Sequence, residues 1–244
     1  MSYDDNAEFW VKIIRENRDK YRTVLTNPAV IGAVGPADGL SVLDAGCGEG
    51  YMSRLLAGNG AKVTGIDSSA QLIQAARNHD QSATLPVSFD VGSVDSLPYG
   101  PEEFDVVVCN HLMNDLEDPP GAIREFSRVL RSNGRLVILM LHPCFYNKHA
   151  ERQNPENNLI TDTYFQARSV TQNFEVDGLR SPAAYTAWLR PLEFYTEALR
   201  QSGFAVTSLT EPHPTTEMVK TDEWWRTSFT RPLFMLITAQ LLQV

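Results

Sequence analysis

Residues 42–50 read Val-Leu-Asp-Ala-Gly-Cys-Gly-Glu-Gly, and residues 63–67 read Val-Thr-Gly-Ile-Asp. Each segment contains a short apolar run followed by an acidic residue, and a helical pattern separates the two. The pair therefore predicts a strand, a glycine-rich turn, a helix and a second strand. Because glycine has no Cβ, such a turn brings backbone N–H groups close to a ligand. Asp67 ends the second strand, where it can accept hydrogen bonds from a ribose diol, so the pattern points to an adenosine-bearing cofactor.

The glycine spacing decides between classes of cofactor. Gly46, Gly48 and Gly50 form Gly-x-Gly-x-Gly, whereas a dinucleotide site needs Gly-x-Gly-x-x-Gly, and Tyr51 stands where its third glycine belongs. No Gly-Lys-Ser/Thr occurs, which excludes a P-loop. A nicotinamide-dependent reductase stays open as an alternative that the spacing disfavours.

At these residues the chain resembles the class I S-adenosylmethionine-dependent methyltransferases. Residues 44–50 resemble the first motif of that family, Asp67 resembles the acid after its second strand, and residues 104–108 are similar to its fourth strand. The resemblance implies an α/β, Rossmann-like, doubly wound sheet of seven strands, the last antiparallel, with helices on both faces. It also implies S-adenosyl-L-methionine as the cofactor and one methyltransferase domain over residues 1–244.

The composition argues against several classes of binding partner. The 244 residues are 43% apolar and carry a net charge of −9, which argues against a nucleic-acid groove as the substrate site. Three cysteines are too few for a disulfide framework, and no Cys/His group has zinc spacing, so we expect no metal. With neither a signal peptide nor a membrane-spanning run in view, the sequence predicts a cytoplasmic enzyme, monomeric or homodimeric, with no membrane or nucleic-acid partner.

Periodicity outlines the rest of the chain. Residues 6–26 read as one amphipathic helix that Asn27-Pro28 breaks, and residues 1–38 are expected to form N-terminal cap helices. Strands are predicted at 41–45, 62–66, 86–90, 104–110, 135–141, 204–209 and 233–240, and helices at 52–59, 68–79, 119–130 and 192–201. The insertion after strand five, residues 143–190, shows no clear period, and so long a stretch is expected to cover the substrate.

The resemblance also implies the cofactor residues. They are Asp44, Gly46, Cys47, Gly48, Asp67, Ser68, Ser93, Val94 and Asn110. Backbone amides of residues 46–50 are expected to meet the methionine carboxylate. Ser93 departs from the family pattern, in which an acid often stands at this position and contacts the adenine.

Histidines are the candidate catalytic groups. His142 follows strand five within His-Pro-Cys-Phe and is the leading candidate for a base or an orienting residue. His213, in Pro-His-Pro after strand six, and His111, after strand four, are the others.

Aromatic residues are expected to form the acceptor site. The candidates are Trp10, Phe145, Tyr146, Tyr164, Tyr185 and Trp188. They would suit a small aromatic or natural-product-type acceptor, methylated at O, N or an electron-rich carbon such as that of an indole ring. A non-catalytic protein that binds S-adenosylmethionine for regulation is the alternative outside the enzymes.

Overall fold

A computed structural model describes residues 2–80, 85–145 and 164–242 of the chain. Its strands are β1 (Ser41–Ala45), β2 (Lys62–Asp67), β3 (Val87–Val91), β4 (Phe104–Asn110), β5 (Leu130–Leu141), β6 (Arg168–Val176), β7 (Leu179–Leu189), β8 (Phe204–Thr210) and β9 (Phe234–Leu241). Its helices are α1 (Ser2–Asp5), α2 (Ala7–Arg15), a π-helix (Arg22–Thr26), α3 (Asn27–Val34), α4 (Tyr51–Gly58), α5 (Ala70–Asp80), α6 (Pro119–Val129), α7 (Leu192–Gln201), α8 (Thr216–Thr221) and α9 (Glu223–Ser228).

Seven of these strands form the main sheet. They lie in the order β3-β2-β1-β4-β5-β9-β8, parallel from β3 to β5, and β9 runs antiparallel to both β5 and β8. The predicted doubly wound α/β fold with an antiparallel last strand is therefore confirmed. The order reverses between β1 and β4, and ligands of such sheets bind at the carboxyl ends of the strands beside this switch point.

Helices cover both faces of the sheet. Val107 and Cys109 of β4 pack in the core beneath α6 and α7, whereas Val106 and Val108 pack in the core beneath α3 and α4. A strand that is buried on both faces needs apolar residues at every position, which explains the unbroken apolar run of β4.

The N-terminal segment differs from the single predicted helix. α1 and α2 are separate, the chain leaves the helix at Asn17, whose φ is +52°, and the π-helix then runs directly into α3. Pro28 lies in the first turn of α3 and does not break the helix, because a first-turn residue needs no N–H donor.

The insertion after β5 also differs from its prediction. Instead of aperiodic chain, its described part contains a β-hairpin in which β6 and β7 pair as a separate two-stranded sheet. A two-residue turn joins the strands, and both of its residues, Asp177 and Gly178, have positive φ, as a tight hairpin turn requires. Asn6 fastens this hairpin to the N-terminal helices through two 3.0 Å hydrogen bonds with the backbone of Ala183.

Within the described ranges, no helix combines the length and apolar character needed to cross a membrane.

Candidate active site

The glycine-rich turn joins β1 to α4. Gly46, Gly48 and Gly50 have φ angles of +74°, +57° and +81°, in the left-handed region that favours glycine. A Cβ on Gly46 would stand 2.9 Å from the Leu112 side chain, and one on Gly50 would stand 2.5 Å from the Phe89 ring. Both the backbone conformation and the available space therefore require glycine here.

The amides of this turn are largely engaged within the protein. Gly46 N–H and Cys47 N–H donate to Ile66 O at 2.8 and 3.0 Å, and Gly48 N–H donates to Asp67 Oδ2 at 2.9 Å. Three of the amides that were expected to meet a carboxylate are therefore already bonded within the protein.

Asp44 lies at the carboxyl end of β1 with one unsatisfied oxygen. Its Oδ2 accepts a 2.6 Å hydrogen bond from Ser53 Oγ, whereas its Oδ1 is buried and has no partner among the described residues. Burial raises the pKa of Asp44 to about 6, against the opposing effect of the Ser53 hydrogen bond. Asn110 Oδ1, at the end of β4, is likewise buried without a partner, while its Nδ2 donates to Tyr51 Oη at 2.5 Å. The site thus presents two buried acceptors to a ligand that can donate.

Asp67 both holds the turn and faces the cavity. Its two carboxylate oxygens accept from the Gly48 and Ser69 amides at 2.9 and 2.8 Å. Burial raises the pKa of Asp67, and these two hydrogen bonds oppose that shift. Each oxygen retains a second lone pair, so the carboxylate can also accept from a ligand diol.

One cavity of about 1650 Å³ contains the predicted cofactor site. All nine predicted cofactor residues line it: Asp44, Gly46, Cys47, Gly48, Asp67, Ser68, Ser93, Val94 and Asn110. Such a volume exceeds the range of about 300–1,000 Å³ that is typical of small-molecule pockets, and it leaves room for a second ligand beside the first.

Arg22 is a cavity residue that the sequence analysis missed. Its Nε and Nη1 are buried and have no hydrogen-bond partner within the part of the chain that the structure describes. Its guanidinium lies 4.5 Å from the centroid of the Tyr51 ring and 5.4 Å from that of the Trp10 ring. Asp19 Oδ2 approaches it at 3.8 Å. Arg22 therefore offers unsatisfied donors, next to the start of α4, to an anionic group.

His111 is the one predicted catalytic histidine that lines the cavity. Its φ of +60° is uncommon for a non-glycine residue, and its ring meets that of Phe234 edge to face, with centroids 5.5 Å apart. The ring is partly accessible through the cavity although it lies deep in the protein. Burial lowers the pKa of His111 to about 3, and the charge of Arg22 adds to this shift, so the imidazole is neutral near pH 7.

The other two histidines do not reach the cavity. His142 is 5% exposed, and its Nε2 lies 2.8 Å from Glu211 Oε1 while its Nδ1 accepts from Cys144 N–H at 3.1 Å. Burial lowers the pKa of His142, although Glu211 opposes that shift. His213 is exposed, and its Nδ1 lies 2.7 Å from Glu211 O. Both residues follow strands at the ligand edge, but their side chains lie outside the cavity. A catalytic role for either one stays an untested prediction.

Two of the predicted substrate residues line the cavity, Trp10 and Tyr185. Phe174 of β6, which was not predicted, joins them: its ring stacks on Tyr185 with centroids 3.6 Å apart and meets Trp10 edge to face at 4.6 Å. Aromatic rings from α2 and from both hairpin strands thus form one wall, which we call the aromatic wall.

Three other predicted substrate residues lie away from the cavity: Phe145, Tyr164 and Trp188. Phe145 packs on the His142 ring with centroids 4.8 Å apart, and Tyr164 Oη accepts from Leu192 N–H at 2.9 Å. A role of these three residues in binding the acceptor stays an untested prediction. Tyr146 falls outside the described residues.

The loop after β4 contributes further residues that the sequence analysis missed. Asn114 Oδ1 accepts from Leu141 N–H at 2.9 Å, and Asn114 O accepts from Trp188 N–H at 2.6 Å. The next residue, Asp115, lines the cavity and accepts a 2.6 Å hydrogen bond from Tyr3 Oη. The only sequence signal was an acid shortly after a buried strand, which is too common to single out a site.

No group of three or more His, Cys, Asp or Glu side chains suited to a metal ion occurs among residues 2–80, 85–145 and 164–242.

Comparison with protein families identifies the domain. A family model described as a methyltransferase domain matches residues 36–185. The match includes the glycine turn, Asp67, β4 and the loop after it. The chain belongs to this methyltransferase family.

A curated relative gives a more specific likeness over part of this methyltransferase. The ubiquinone biosynthesis O-methyltransferase of Coxiella burnetii is 35% identical over 107 residues, which are 44% of this chain and 46% of the relative. The chain thus spans about half the length of the curated relative that it matches.

Solved structures share the fold at low identity. An S-adenosylmethionine-dependent methyltransferase from Mesorhizobium loti is 21% identical with a TM-score of 0.67, covering 87% of this chain and 96% of that one. A geranyl diphosphate C-methyltransferase from Streptomyces coelicolor, solved with S-adenosyl-L-homocysteine, is 17% identical with a TM-score of 0.62, covering 88% and 76%. At these identities the likeness establishes the fold.

The resemblance to class I S-adenosylmethionine-dependent methyltransferases is therefore confirmed, together with the enzyme class and the cofactor. The cavity of this methyltransferase also fits that cofactor chemically. An ammonium group would satisfy the orphaned oxygens of Asp44 and Asn110, a carboxylate would satisfy Arg22, and ribose hydroxyls can donate to Asp67. The role of each residue stays a prediction.

Proposed function

We propose that this protein transfers the methyl group of S-adenosylmethionine to a small acceptor that is held against the aromatic wall. The observation that carries the proposal is the shared cavity: the predicted cofactor residues and the aromatic wall line the same space of about 1650 Å³. A methyl donor and a methyl acceptor can therefore bind side by side in one cavity.

The chain's part in such a reaction is alignment. The bound cofactor supplies an electrophilic methyl group on a good leaving group, so the protein must place an acceptor in line with it and keep water away. Asp67 and Arg22 hold opposite ends of the cofactor in this proposal. Asn110 lies at the end of β4 between them, where its side chain can orient the reacting centre.

The aromatic wall favours a flat acceptor. Trp10, Phe174 and Tyr185 present ring faces and edges, which bind planar apolar groups and also attract a cationic amine. The likeness to the Coxiella burnetii O-methyltransferase supports an oxygen acceptor. Methylation at nitrogen or at a ring carbon remains within the proposal, because one fold can serve all three.

His111 has a different role from the one first expected. Because burial and the cationic Arg22 lower its pKa to about 3, the imidazole is a weak proton acceptor near pH 7. It can still form a hydrogen bond, so we assign it to orienting the acceptor.

A screen with radiolabelled S-adenosylmethionine tests the proposal. The purified protein is incubated with phenols, catechols, aryl amines and indoles, and labelled products are separated by chromatography. We expect a labelled acceptor with the wild type, little with Asp67→Ala, and wild-type yield with Asp95→Ala, which removes an exposed acid outside the cavity. Binding of S-adenosylmethionine with no product from any class would favour the non-catalytic alternative.

Three further properties belong to the proposal. We place the enzyme in the cytoplasm, as a monomer or homodimer, with a small molecule as its partner and without nucleic acid or membrane. The net charge of −9 supports the exclusion of nucleic acid. Light scattering of the purified protein measures its oligomeric state.

A further inference from the structure

A carboxylic acid and a phenol meet beside the aromatic wall. Tyr3 Oη, from α1, donates a 2.6 Å hydrogen bond to Asp115 Oδ2, from the loop after β4, and both residues line the cavity. The Tyr3 ring centroid lies 6.0 Å from that of Phe174, whose ring stacks on Tyr185. The pair therefore adjoins the place proposed for the acceptor.

Hydrogen bonds hold both Asp115 and its partner Tyr3 in position. Asn114 ties the loop to the end of β5 and to β7, and Asp115 N–H itself donates to Leu112 O at 2.8 Å. On the Tyr3 side, Ser69 Oγ donates to Asp4 Oδ1 at 2.5 Å, and this bond anchors α1, the helix that contains Tyr3. Asp115 lines the cavity, and Tyr3 donates to Oδ2 of its carboxylate, so Oδ1 is the oxygen that this hydrogen bond leaves available.

Among the described residues, none of the groups that shift the pKa of this carboxylate is a cation. Four titratable groups interact electrostatically with Asp115, so that their pKa values or its own are shifted: Tyr3 from α1, Asp67 at the end of β2, Cys109 of β4 and Tyr195 of α7. Burial raises the pKa of Asp115 to about 7, the charge of Asp67 adds to the shift, and the hydrogen bond from Tyr3 opposes it. The group is nevertheless partly accessible, because it faces the cavity.

Other ionisable groups fit the task of a base less well. His142 lies outside the cavity, and the pKa of His111, which burial and Arg22 lower to about 3, makes it a weak base. Asp44 is bound to Ser53 at the carboxyl end of β1, among the residues assigned to the cofactor.

We propose that Asp115 is the catalytic base that takes the proton from a hydroxyl or amine acceptor, and that Tyr3 is its positioning residue. The inference rests on the proposed methyl transfer and deepens it, because it names the acceptor class: a group that carries a removable proton. A ring carbon that needs no base before attack fits the pair less well.

The step balances with S-adenosylmethionine as the methyl donor. A lone pair of the acceptor oxygen or nitrogen forms the new bond to the methyl carbon while the carbon–sulfur bond breaks and its electron pair goes to sulfur. The acceptor's O–H or N–H bond breaks, its electrons stay on the acceptor, and the proton goes to Asp115 Oδ1. The carboxylic acid later releases this proton to water.

Titration of the protein itself provides the first test. Protein labelled with ¹³C at the aspartate carboxyl carbons is titrated with pH and followed by NMR, first free and then with S-adenosylhomocysteine as the probe ligand. The resonance that is missing in Asp115→Asn belongs to Asp115. We expect a midpoint of about 7 for Asp115 in the free protein and a higher midpoint in Tyr3→Phe, because that variant lacks the hydrogen bond that favours the carboxylate. A midpoint below about 5 or one that Tyr3→Phe leaves unchanged would overturn the inference, since 5 lies near ordinary aspartate values.

The same variants separate this inference from the proposed function. Asp115→Asn should bind S-adenosylhomocysteine as the wild type does, and a lost affinity would make Asp115 a cofactor ligand and overturn its role as base. A wild-type protein that binds no S-adenosylhomocysteine would instead overturn the proposed function. The titration midpoint of Asp115 can be measured in either case, because it is determined on the free protein. Asp118→Asn is the matched control, because Asp118 is an exposed acid three residues away outside the cavity.

Single-turnover rates with an acceptor found by the screen give a further readout. We expect Asp115→Asn to slow methyl transfer by about 10²–10⁴-fold, the usual contribution of a general base, and to abolish the acidic limb of the pH–rate profile. Tyr3→Phe should move that limb to higher pH. A rate in Asp115→Asn equal to that in Asp118→Asn at every pH would contradict the assignment.

Discussion

Asp67 serves two purposes, which sets the expectation for its removal. The side chain accepts from the Gly48 and Ser69 amides and faces the cofactor part of the cavity. Asp67→Ala should weaken S-adenosylhomocysteine binding by about 1–3 kcal/mol, the range for losing hydrogen bonds to a charged group. Asp67→Asn, which keeps one acceptor oxygen, should lose less. Calorimetric titration measures both, and unchanged affinity in a folded Asp67→Ala protein would place the ribose elsewhere.

His142 should affect stability more than catalysis. Its ring accepts from Cys144 N–H and pairs with Glu211, outside the cavity. His142→Ala should lower the free energy of unfolding by about 1 kcal/mol, the typical net worth of such a bond, and leave methyl transfer near the wild-type rate. Denaturant titration and the labelled assay check the two parts. A turnover loss of a hundredfold or more would return His142 to the active site.

The residues found and missed from the sequence differ in one respect. Asp44 and Asp67 are positioned by local strand–turn geometry, so their spacing along the chain was enough to predict them. Arg22 and Tyr3 reach the cavity only because the N-terminal helices dock against the rest of the fold, and no local pattern encodes that docking. A strand end specifies the edge of the sheet but not the direction of the side chain that follows, which explains why the sequence could not show that the His142 side chain lies outside the cavity.

At the scale of single elements, the glycine turn gives the sharpest stability test. Gly50→Ala requires an L-residue at φ +81° and brings its Cβ to 2.5 Å from the Phe89 ring. The backbone alone costs about 1–2 kcal/mol, so we expect a lower free energy of unfolding and weaker cofactor binding. Gly58→Ala, at the other end of α4, is the matched control, because its φ is not positive and no described atom outside its own helix backbone and chain neighbours would lie within 4 Å of the new Cβ. Thermal melts compare the two, and equal effects would contradict this account of the turn.

The hairpin shows where element prediction failed although a signal existed. Asp177-Gly178 is a strong two-residue turn sequence, but β7 begins Leu-Arg-Ser-Pro-Ala-Ala, which has weak strand propensity and no clear alternation. The hairpin gains its stability from tertiary contacts instead. Phe174 packs on Trp10, and Ala183 bonds with Asn6, and both partners lie more than 160 residues earlier in the chain. The central strands of the main sheet were predicted better because β1 and β4 are short apolar runs that are buried on both faces.

At the scale of the whole molecule, buried acids should make stability depend on pH. The pKa values of Asp44, Asp67 and Asp115 are all raised by burial. Between the unfolded value of about 4 and the raised folded values, the folded state binds more protons than the unfolded state, so stability falls as pH rises. For Asp115 this window extends from about 4 to about 7.

Melting temperatures across that range provide the measurement. In wild-type protein these three groups should contribute a decline from pH 4 to pH 7, and Asp115→Asn should flatten it between pH 6 and 7, where Asp115 still titrates. Asp118→Asn should keep the wild-type slope. A slope that Asp115→Asn does not change would mean that this carboxyl titrates alike in both states.

The central claim is that the cavity at the carboxyl ends of β1, β2 and β4 binds S-adenosylmethionine, and isothermal titration calorimetry tests it most directly. The wild-type protein is titrated with S-adenosylmethionine, with S-adenosylhomocysteine and with NAD, and Asp67→Ala is titrated in parallel. The account predicts saturable binding of the first two at one site per chain, no heat from NAD, and weaker binding in the variant. Binding of NAD together with the absence of S-adenosylmethionine binding would contradict it.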